Sequence, residues 1–277
     1  MIANMNVLDA ESIREPIASV PGARLDILEV LSEIESTNSY LLEQPSPAPG
    51  RFRVVLADHQ TAGRGRQDRT WQSPPSSGLC LSMAYTFGGV PDKLPSLTLA
   101  LGIGVAEALE RLGIGGISLK WPNDIIACDG KLGGILTELQ SGASNGVTVI
   151  AGIGLNVDLP DSMQLLDGPS WTNKIVDLKE CTGNPPSRER LSVAVIESLF
   201  ACMVRFESDG FAPFQDSWER YDWLKGKQII VDMPDGRCCG VADGVDYDGA
   251  LGIRTDEIRR RIITGTISLP DEQDNHA

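Results

Sequence analysis

The 277-residue chain carries 24 lysines and arginines against 38 aspartates and glutamates, a net charge of −14. That balance argues against bulk nucleic-acid binding, which needs a basic footprint to neutralise phosphates. An apolar content of 42% and a charged content of 22% describe a folded protein with a sizeable core, in one large or two unequal domains.

Residues 1–34 give mixed signals and end in "ARLDILEVLSEIES", which reads as a strand; residues 1–23 carry no functional reading. Ser36 or Thr37 then suits a helix N-cap before "NSYLLEQ", and Pro45, Pro47 and Pro49 stop that helix. "FRVVLADHQ" (52–60) reads as a strand entering "TAGRGRQDRTW" (61–71), and "GLCLSMAYTF" (78–87) as the strand leaving it. A longer helix follows. Ser96 is placed to cap it, Leu101, Val105, Ala108, Leu109 and Leu112 recur at helical spacing, and glycines at 113, 115 and 116 end it. Three strand-like stretches come next, "ISLKWPNDII", "KLGGILTEL" and "GVTVIAGIGLNV". Asp129-Gly130 signals a tight turn between the first two, and Asn145-Gly146 precedes the third. Pro122 ends a strand, with Asn123-Asp124 in the turn after it. Residues 158–171 read as a loop and 187–209 as a helix with Val193, Ile196, Phe200 and Met203 on one stripe. From about residue 225 short strands separated by turn residues suggest a small all-β barrel, ending in the tail "PDEQDNHA".

The six cysteines show no CxxC spacing and the only histidines are His59 and His276, so a structural zinc site is not expected. Reduced cysteines in a cytoplasmic chain are the simpler reading. No basic segment followed by an apolar one opens the sequence, and no apolar run approaches the roughly 20 residues that span a bilayer.

Three segments carry candidate chemistry. Residues 51–71 hold five arginines against two aspartates inside an acidic chain. Glycine between arginines lets a backbone close on a ligand, and guanidinium forks match phosphate or carboxylate oxygens. The other reading is an exposed flexible loop; a Walker A spacing is absent. In "KWPNDI" and "KLGGIL", Lys131 follows a tight turn, Asp124 is placed to orient it or hold a metal-bound phosphate, and Gly133 and Gly134 leave room for a flat ligand. An ordinary hairpin with an exposed lysine is the alternative. In "AGIGLNV", Gly152 and Gly154 weaken a strand unless something packs closely there, and a bulge explains them equally.

Taken together, "STN" (36–38), "QTAGRGR", "KWPND", "KLGGIL" and "GIGLNV" stand in the order and separations of the biotin protein ligases, which most of the chain resembles from residue 35 to "GTISL". The resemblance implies an α+β fold: a mixed, mainly antiparallel sheet with helices on one face, akin to class II synthetases, spanning 24–222, plus a small SH3-like β-barrel at 225–270. It implies formation of biotinyl-5′-AMP from biotin and ATP with Mg²⁺, then transfer to a lysine of a biotin carboxyl carrier protein, usually that of acetyl-CoA carboxylase.

It also assigns positions. Lys131, Arg66 and Asp124 would be catalytic. Ser36, Thr37, Asn38, Gln60, Gly63, Arg64, Gly65, Arg66, Lys131, Gly134, Gly152 and Gly154 would form the biotin site. Arg64, Arg66, Arg69, Trp71, Asn123, Asp124, Lys131, Asn156 and Trp171 would bind ATP, with Asp124 near Mg²⁺ and residues 158–171 as the adenosine loop. No histidine in these motifs offers a base for the acceptor lysine. Gln67 and Asp68 stand where many relatives carry a basic residue and a glycine. About 35 residues precede "STN", too few for the DNA-binding module of some relatives, so no DNA-binding role is expected. A homodimer and a monomer both stay open. The readings weighed against this one are a lipoate–protein ligase of the same fold, a ligand-sensing repressor and a non-catalytic biotin-binding module. The GRGR loop and KWPND favour biotin. The role of "RRR" at 259–261 is unassigned, a solvated strand being preferred to a binding patch.

Overall fold

The computed structural model describes residues 8–140, 146–164, 174–255 and 258–270. In chain order these form α1 (Ala10–Ala18), β1 (Leu25–Ile34), α2 (Thr37–Glu43), β2 (Phe52–Gln60), β3 (Gly78–Phe87), α3 (Leu97–Arg111), β4 (Ser118–Lys120), β5 (Asp124–Ala127), β6 (Gly130–Gln140) and β7 (Val147–Asn156). There follow α4 (Asp161–Gln164), α5 (Leu178–Thr182), α6 (Arg188–Asp209), α7 (Gln215–Tyr221) and β8 (Gln228–Met233), β9 (Gly236–Val245), β10 (Leu251–Arg254), β11 (Arg259–Ile262) and β12 (Thr266–Ser268). The fold is α+β, with a larger mixed sheet and a second, smaller antiparallel one.

The larger sheet has the order β1-β2-β3-β7-β6-β5-β4. Only β1 and β2 run parallel, joined through α2; the remaining neighbours are antiparallel. Strand β3 is buried along its whole length, which requires cover on both faces. On one face Leu79, Leu81, Met83 and Tyr85 join the main core with α1, α3 and α6. On the other, Leu41 of α2 packs with Val55, Ala84 and Ile150. Helix α2 thus covers part of the face opposite the main helical layer.

The smaller sheet has the order β11-β10-β9-β8-β12. Its Ile229, Val231, Leu251, Ile253 and Ile267 share one apolar cluster with the larger sheet's layer. The seam is specific. Trp121 Nε1 donates to Gly249 O at 2.9 Å, and a Cβ on Gly249, at φ +83°, would lie 2.7 Å from the Ser96 Cβ at the start of α3. The smaller sheet also pairs its own charges: Arg259 and Arg261 bond Asp243, Asp246 and Asp248, so these two members of the "RRR" run lie in a solvated acidic–basic strand network.

Several local expectations change. Ser96 does not cap α3 with its side chain; it ends a 3₁₀ turn and its hydroxyl donates to Lys93 O at 2.8 Å. "ISLKWPNDII" is not one strand, and Asp124 opens β5 rather than sitting in the turn. The β5–β6 turn is Cys128-Asp129, both at positive φ (47° and 57°), while Gly130 already pairs with Ala127. That is the backbone of a two-residue hairpin turn with left-handed residues at both centres. Gly130 is needed for another reason: a Cβ there would meet Val176 Cγ1 at 2.5 Å. The cysteines are not all thiols, because Cys128 and Cys181 are paired; Cys80, Cys202, Cys238 and Cys239 are free. Helix α1 was not expected at all. Asn145, the end of the 158–171 loop with Trp171, and His276 lie outside the described residues. Among the described residues no helix is long and apolar enough to cross a membrane.

Candidate active site

A cleft opens over the glycine-bearing ends of β6 and β7, between the arginine loop and β12. It gathers Ser36, Thr37, Asn38, Gln60, Arg64, Gly65, Arg66, Arg69, Trp71, Asn123, Asp124, Lys131, Gly134, Gly152 and Gly154 from segments far apart in sequence.

Its polar end is prebuilt. Ser36 caps α2 through Ser39 N, which fixes Thr37 and Asn38 at the first turn, all three buried. Thr37 N and Oγ1 both donate to Gln60 Oε1, at 2.8 and 3.1 Å. Ser82 Oγ, from the middle of β3, lies 2.7 Å from Thr37 Oγ1 and 2.5 Å from Asn38 Oδ1. Asn38 Nδ2 donates to Leu136 O and Glu138 Oε2. Gly152 admits this arrangement, since a Cβ there would stand 2.3 Å from Asn38 Oδ1. Arg64 lies behind the same group, its guanidinium on both oxygens of Glu138 at 2.9 and 3.2 Å.

The arginine loop is a small hairpin, not an open coil. Trp71 N donates to Gly63 O, Gly65 N to Arg69 O, and Arg69 N to Arg66 O. Gln67 and Asp68 form its tip with φ of 55° and 57°. Gly154 gives the Trp71 indole its seat, because a Cβ there would lie 2.5 Å from Cε2. The tip reaches the smaller sheet: Thr266 Oγ1 donates to Gln67 Oε1 at 3.0 Å, and Arg69 Nη2 donates to Thr266 at 3.5 Å.

Cations converge at the other end. Lys131 Nζ lies 2.6 Å from Asp124 Oδ1. Arg66 Nη1 donates to Asn123 Oδ1 at 3.3 Å, and Asn123 Nδ2 donates in turn to Ile135 O at 2.9 Å, so Asn123 ties the arginine to β6. Five cations (Arg64, Arg66, Arg69, Lys120 and Lys131) line the cleft, with Asp124 its single carboxylate among the described residues. Burial pushes the Lys120 ammonium below its usual range against the pull of Asp124, and Lys131 and Arg69 add to that depression. Burial likewise lowers Arg66, opposed by Asp124 and reinforced by Arg69. A bound anion would relieve both effects.

Gly63 and Asn156 do not line the cleft. Gly63 lets the loop close, since a Cβ there would lie 2.4 Å from Trp71 O. Asn156 is buried and its amide donates to Val176 O at 2.9 Å and Lys131 O at 3.4 Å, bracing the strand behind Lys131. Among the lining residues that the sequence did not assign to the site are Lys120, Gln67, Gly265, Thr266 and Ile267. Lys120 stood inside "KWPND", but nothing local marked its buried ammonium, which donates to Ile267 O at 3.3 Å. Thr266 comes from about 200 residues away in sequence.

The arrangement offers a place for an uncharged polar group beside the α2 cap, an apolar floor of Leu81, Ile135 and Ile153, and a cationic end for anionic groups. For a divalent metal the fit is partial. Among the described residues no group of three His, Cys, Asp or Glu could hold one. A lone carboxylate suits a cation that brings phosphate oxygens and waters as its other ligands.

Comparison with known proteins agrees with this geometry. Residues 30–156 match the biotin/lipoate A/B protein ligase family. The chain is 33% identical over 240 residues to the bifunctional ligase/repressor BirA of Escherichia coli, covering 87% of this chain and 73% of that one. It is 31% identical over 251 residues to the biotin–[acetyl-CoA-carboxylase] ligase of Mycobacterium tuberculosis, covering 88% and 89%. Among solved structures, the biotin protein ligase from Aquifex aeolicus in complex with biotin and ATP superimposes with a TM-score of 0.71 at 29% identity, covering 88% of this chain and 97% of that one. Motifs, fold and cleft thus converge, and the chain belongs to the biotin/lipoate A/B protein ligase family as an enzyme of the biotin protein ligase group.

Proposed function

We propose that this enzyme activates biotin with ATP as biotinyl-5′-AMP and passes the biotinyl group to a lysine of a biotin carboxyl carrier protein. The observation that carries the reading is the cleft's charge. Five cations line it; Arg64 is paired with Glu138, which leaves Arg66, Arg69, Lys120 and Lys131 facing the one carboxylate of Asp124 in a protein of net charge −14. Such a concentration suits a ligand set with a carboxylate at one end and a triphosphate at the other.

In the first step a biotin carboxylate oxygen attacks the α-phosphorus and pyrophosphate leaves. The attack must overcome like-charge repulsion. Lys131 and Arg66 lie where the carboxylate and α-phosphate meet, and Arg69 and Lys120 face the departing phosphates. Their positive charge counts most where negative charge grows in the transition state. Asp124 holds Lys131 in place, and Asn123 does the same for Arg66. Residues 36–38 with Gln60 receive the polar ring end of biotin, and Ser82, which does not line the cleft, braces Thr37 and Asn38. Arg64, with Gly65, closes over it. Trp71, resting on Gly154, seals the floor against water that would hydrolyse the mixed anhydride. Asp124 is the carboxylate that would hold Mg²⁺ here, and the ion would supply further neutralisation of phosphate charge. In the second step an unprotonated acceptor lysine attacks the acyl carbon and AMP leaves.

We assign the catalytic unit to residues 24–222 and an SH3-like unit to 225–270, and place the enzyme in the cytoplasm with a carboxylase carrier domain as acceptor. The deciding experiment is pyrophosphate release from ATP and Mg²⁺ with biotin or lipoate in turn, without acceptor. Release with biotin, followed by labelling of an added carrier domain, is expected. Release with lipoate only, or with neither, overturns the reading.

A further inference from the structure

Cys128 and Cys181 stand outside the chemistry assigned above. We propose that they form a thiol–disulfide exchange site, reacting with low-molecular-weight disulfides and thiols, whose state governs how firmly Lys131 is held and hence the affinity for ATP. The effect on ATP rests on the ligase reading; the exchange site itself does not.

Position is the first argument. Cys128 is the first residue of the β5–β6 turn, three residues before Lys131, and is exposed. Cys181 is half-buried on α5. Their Cα atoms are 5.9 Å apart, inside the span a disulfide bridges without backbone movement. The other cysteines offer no such pair. Cys80, Cys202 and Cys238 are buried, and burial pushes the Cys202 thiol up to about 12. Cys239 is exposed without a partner sulfur.

Connectivity is the second argument. The segment just before α5 clamps Lys131 through its backbone. Lys131 N donates to Lys174 O at 2.8 Å, and Val176 N donates to Lys131 O at 3.1 Å. Asn156 bonds both sides of this junction. Gly130 allows the approach, having no Cβ to meet Val176. Helix α5 has five residues, too few to persist without tertiary support. A covalent link from its last turn to the turn before Lys131 therefore fixes both ends of the clamp.

Chemistry is the third. A disulfide with one sulfur on an exposed residue, as Cys128 is, belongs to the labile, regulatory class rather than the structural one. On oxidation, the Cys128 thiolate attacks a small disulfide, expelling one small thiol and leaving a mixed disulfide. The Cys181 thiolate then attacks the Cys128 sulfur and expels the second. Two protein thiols and one small disulfide thus become one protein disulfide and two small thiols. Excess small thiol reverses both steps.

The test uses the full chain, equilibrated with oxidised or reduced glutathione. Free thiols are trapped by alkylation and mapped by peptide mass spectrometry; amide hydrogen exchange and steady-state kinetics are read on the same samples. The oxidised protein is expected to carry the 128–181 crosslink. Reduction should speed exchange at the Lys131 and Val176 amides about tenfold. It should raise the ATP KM about fivefold, and any weakening of the Lys131 contribution to the transition state should appear as a fall in kcat. A C128S/C181S double variant should match the reduced enzyme under both conditions. Free thiols throughout, or exchange and ATP KM indifferent to redox state, overturn the proposal. An enzyme that releases no pyrophosphate in either state overturns the ligase reading instead, while crosslink and amide exchange still decide whether the pair works as described.

Discussion

Lys131 Nζ and Asp124 Oδ1 stand 2.6 Å apart at the cationic end of the cleft, on two strands of one hairpin. The carboxylate is the lysine's partner here; on the proposed function, the carboxylate and phosphate oxygens of the ligands would compete for the same ammonium. Removing the ammonium should therefore remove transition-state stabilisation and leave the fold alone, since Lys131 is only half-buried. Lys131→Ala is expected to slow biotinyl-AMP formation by about 10²–10³-fold, the cost of losing one preorganised cationic donor. Single-turnover pyrophosphate release measures it, with circular dichroism as the control on folding. A loss under tenfold would remove Lys131 from its assigned place.

The loop tip gives a second prediction. Gln67 and Asp68 both hold left-handed backbone, which costs a residue with a Cβ about 1 kcal/mol relative to glycine. Asp68 also sets a negative charge between Arg66 and Arg69. Asp68→Gly relieves the backbone and removes that negative charge. The variant should release preformed biotinyl-AMP several-fold more slowly than wild type, by filter-trapped intermediate decay. Equal rates would show that the tip does not limit escape.

The strands flanking the arginine loop were legible to the residue, 52–60 and 78–87, because each is a long β-branched and aromatic run bounded by turn residues. The motif residues were legible as a set, and most of them do meet in one cleft. What could not be read were relations between distant segments. Nothing near Thr266 announces that it will bond Gln67, and nothing near Cys181 points to Cys128. Asn156 looked like a ligand contact because an amide beside glycines in a strand suits one; packing turned it onto the backbone of Lys131 and Val176. The turn residues were misplaced by one position because glycine signals either left-handed backbone or close approach. At Gly130 the requirement was the second.

Gly152 tests that distinction at the polar end. A methyl group there would stand 2.3 Å from Asn38 Oδ1, and Asn38 is held by Ser82, Leu136 and Glu138. Gly152→Ala must push Asn38 off that network, at a cost of about 1–3 kcal/mol in stability. The biotin KM should rise by at least tenfold while the ATP KM stays within about threefold, because the cationic end is untouched. Equal rises in both would mean that the substitution disturbs the whole sheet.

The buried pair Arg188–Asp58 makes the last prediction. Its atoms approach to 2.6 Å with both side chains about 5% exposed or less. Arg188 opens α6, Asp58 lies near the end of β2, and Ser76 donates to the same carboxylate at 3.2 Å from the segment leaving the arginine loop. The pair therefore joins the helical layer to the strand and the loop's exit. Arg188→Met leaves Asp58 buried without its cation, which should destabilise by about 3–5 kcal/mol. Asp58→Leu combined with Arg188→Met removes both charges, and buried pairs replaced by apolar groups are often neutral. Thermal unfolding of the single and double variants separates the possibilities. The single change should lower the melting temperature by roughly 10 °C and the double should recover most of that loss. A double variant as unstable as the single would mean that the charge pair itself, rather than the avoidance of a lone buried carboxylate, holds this corner of the site together.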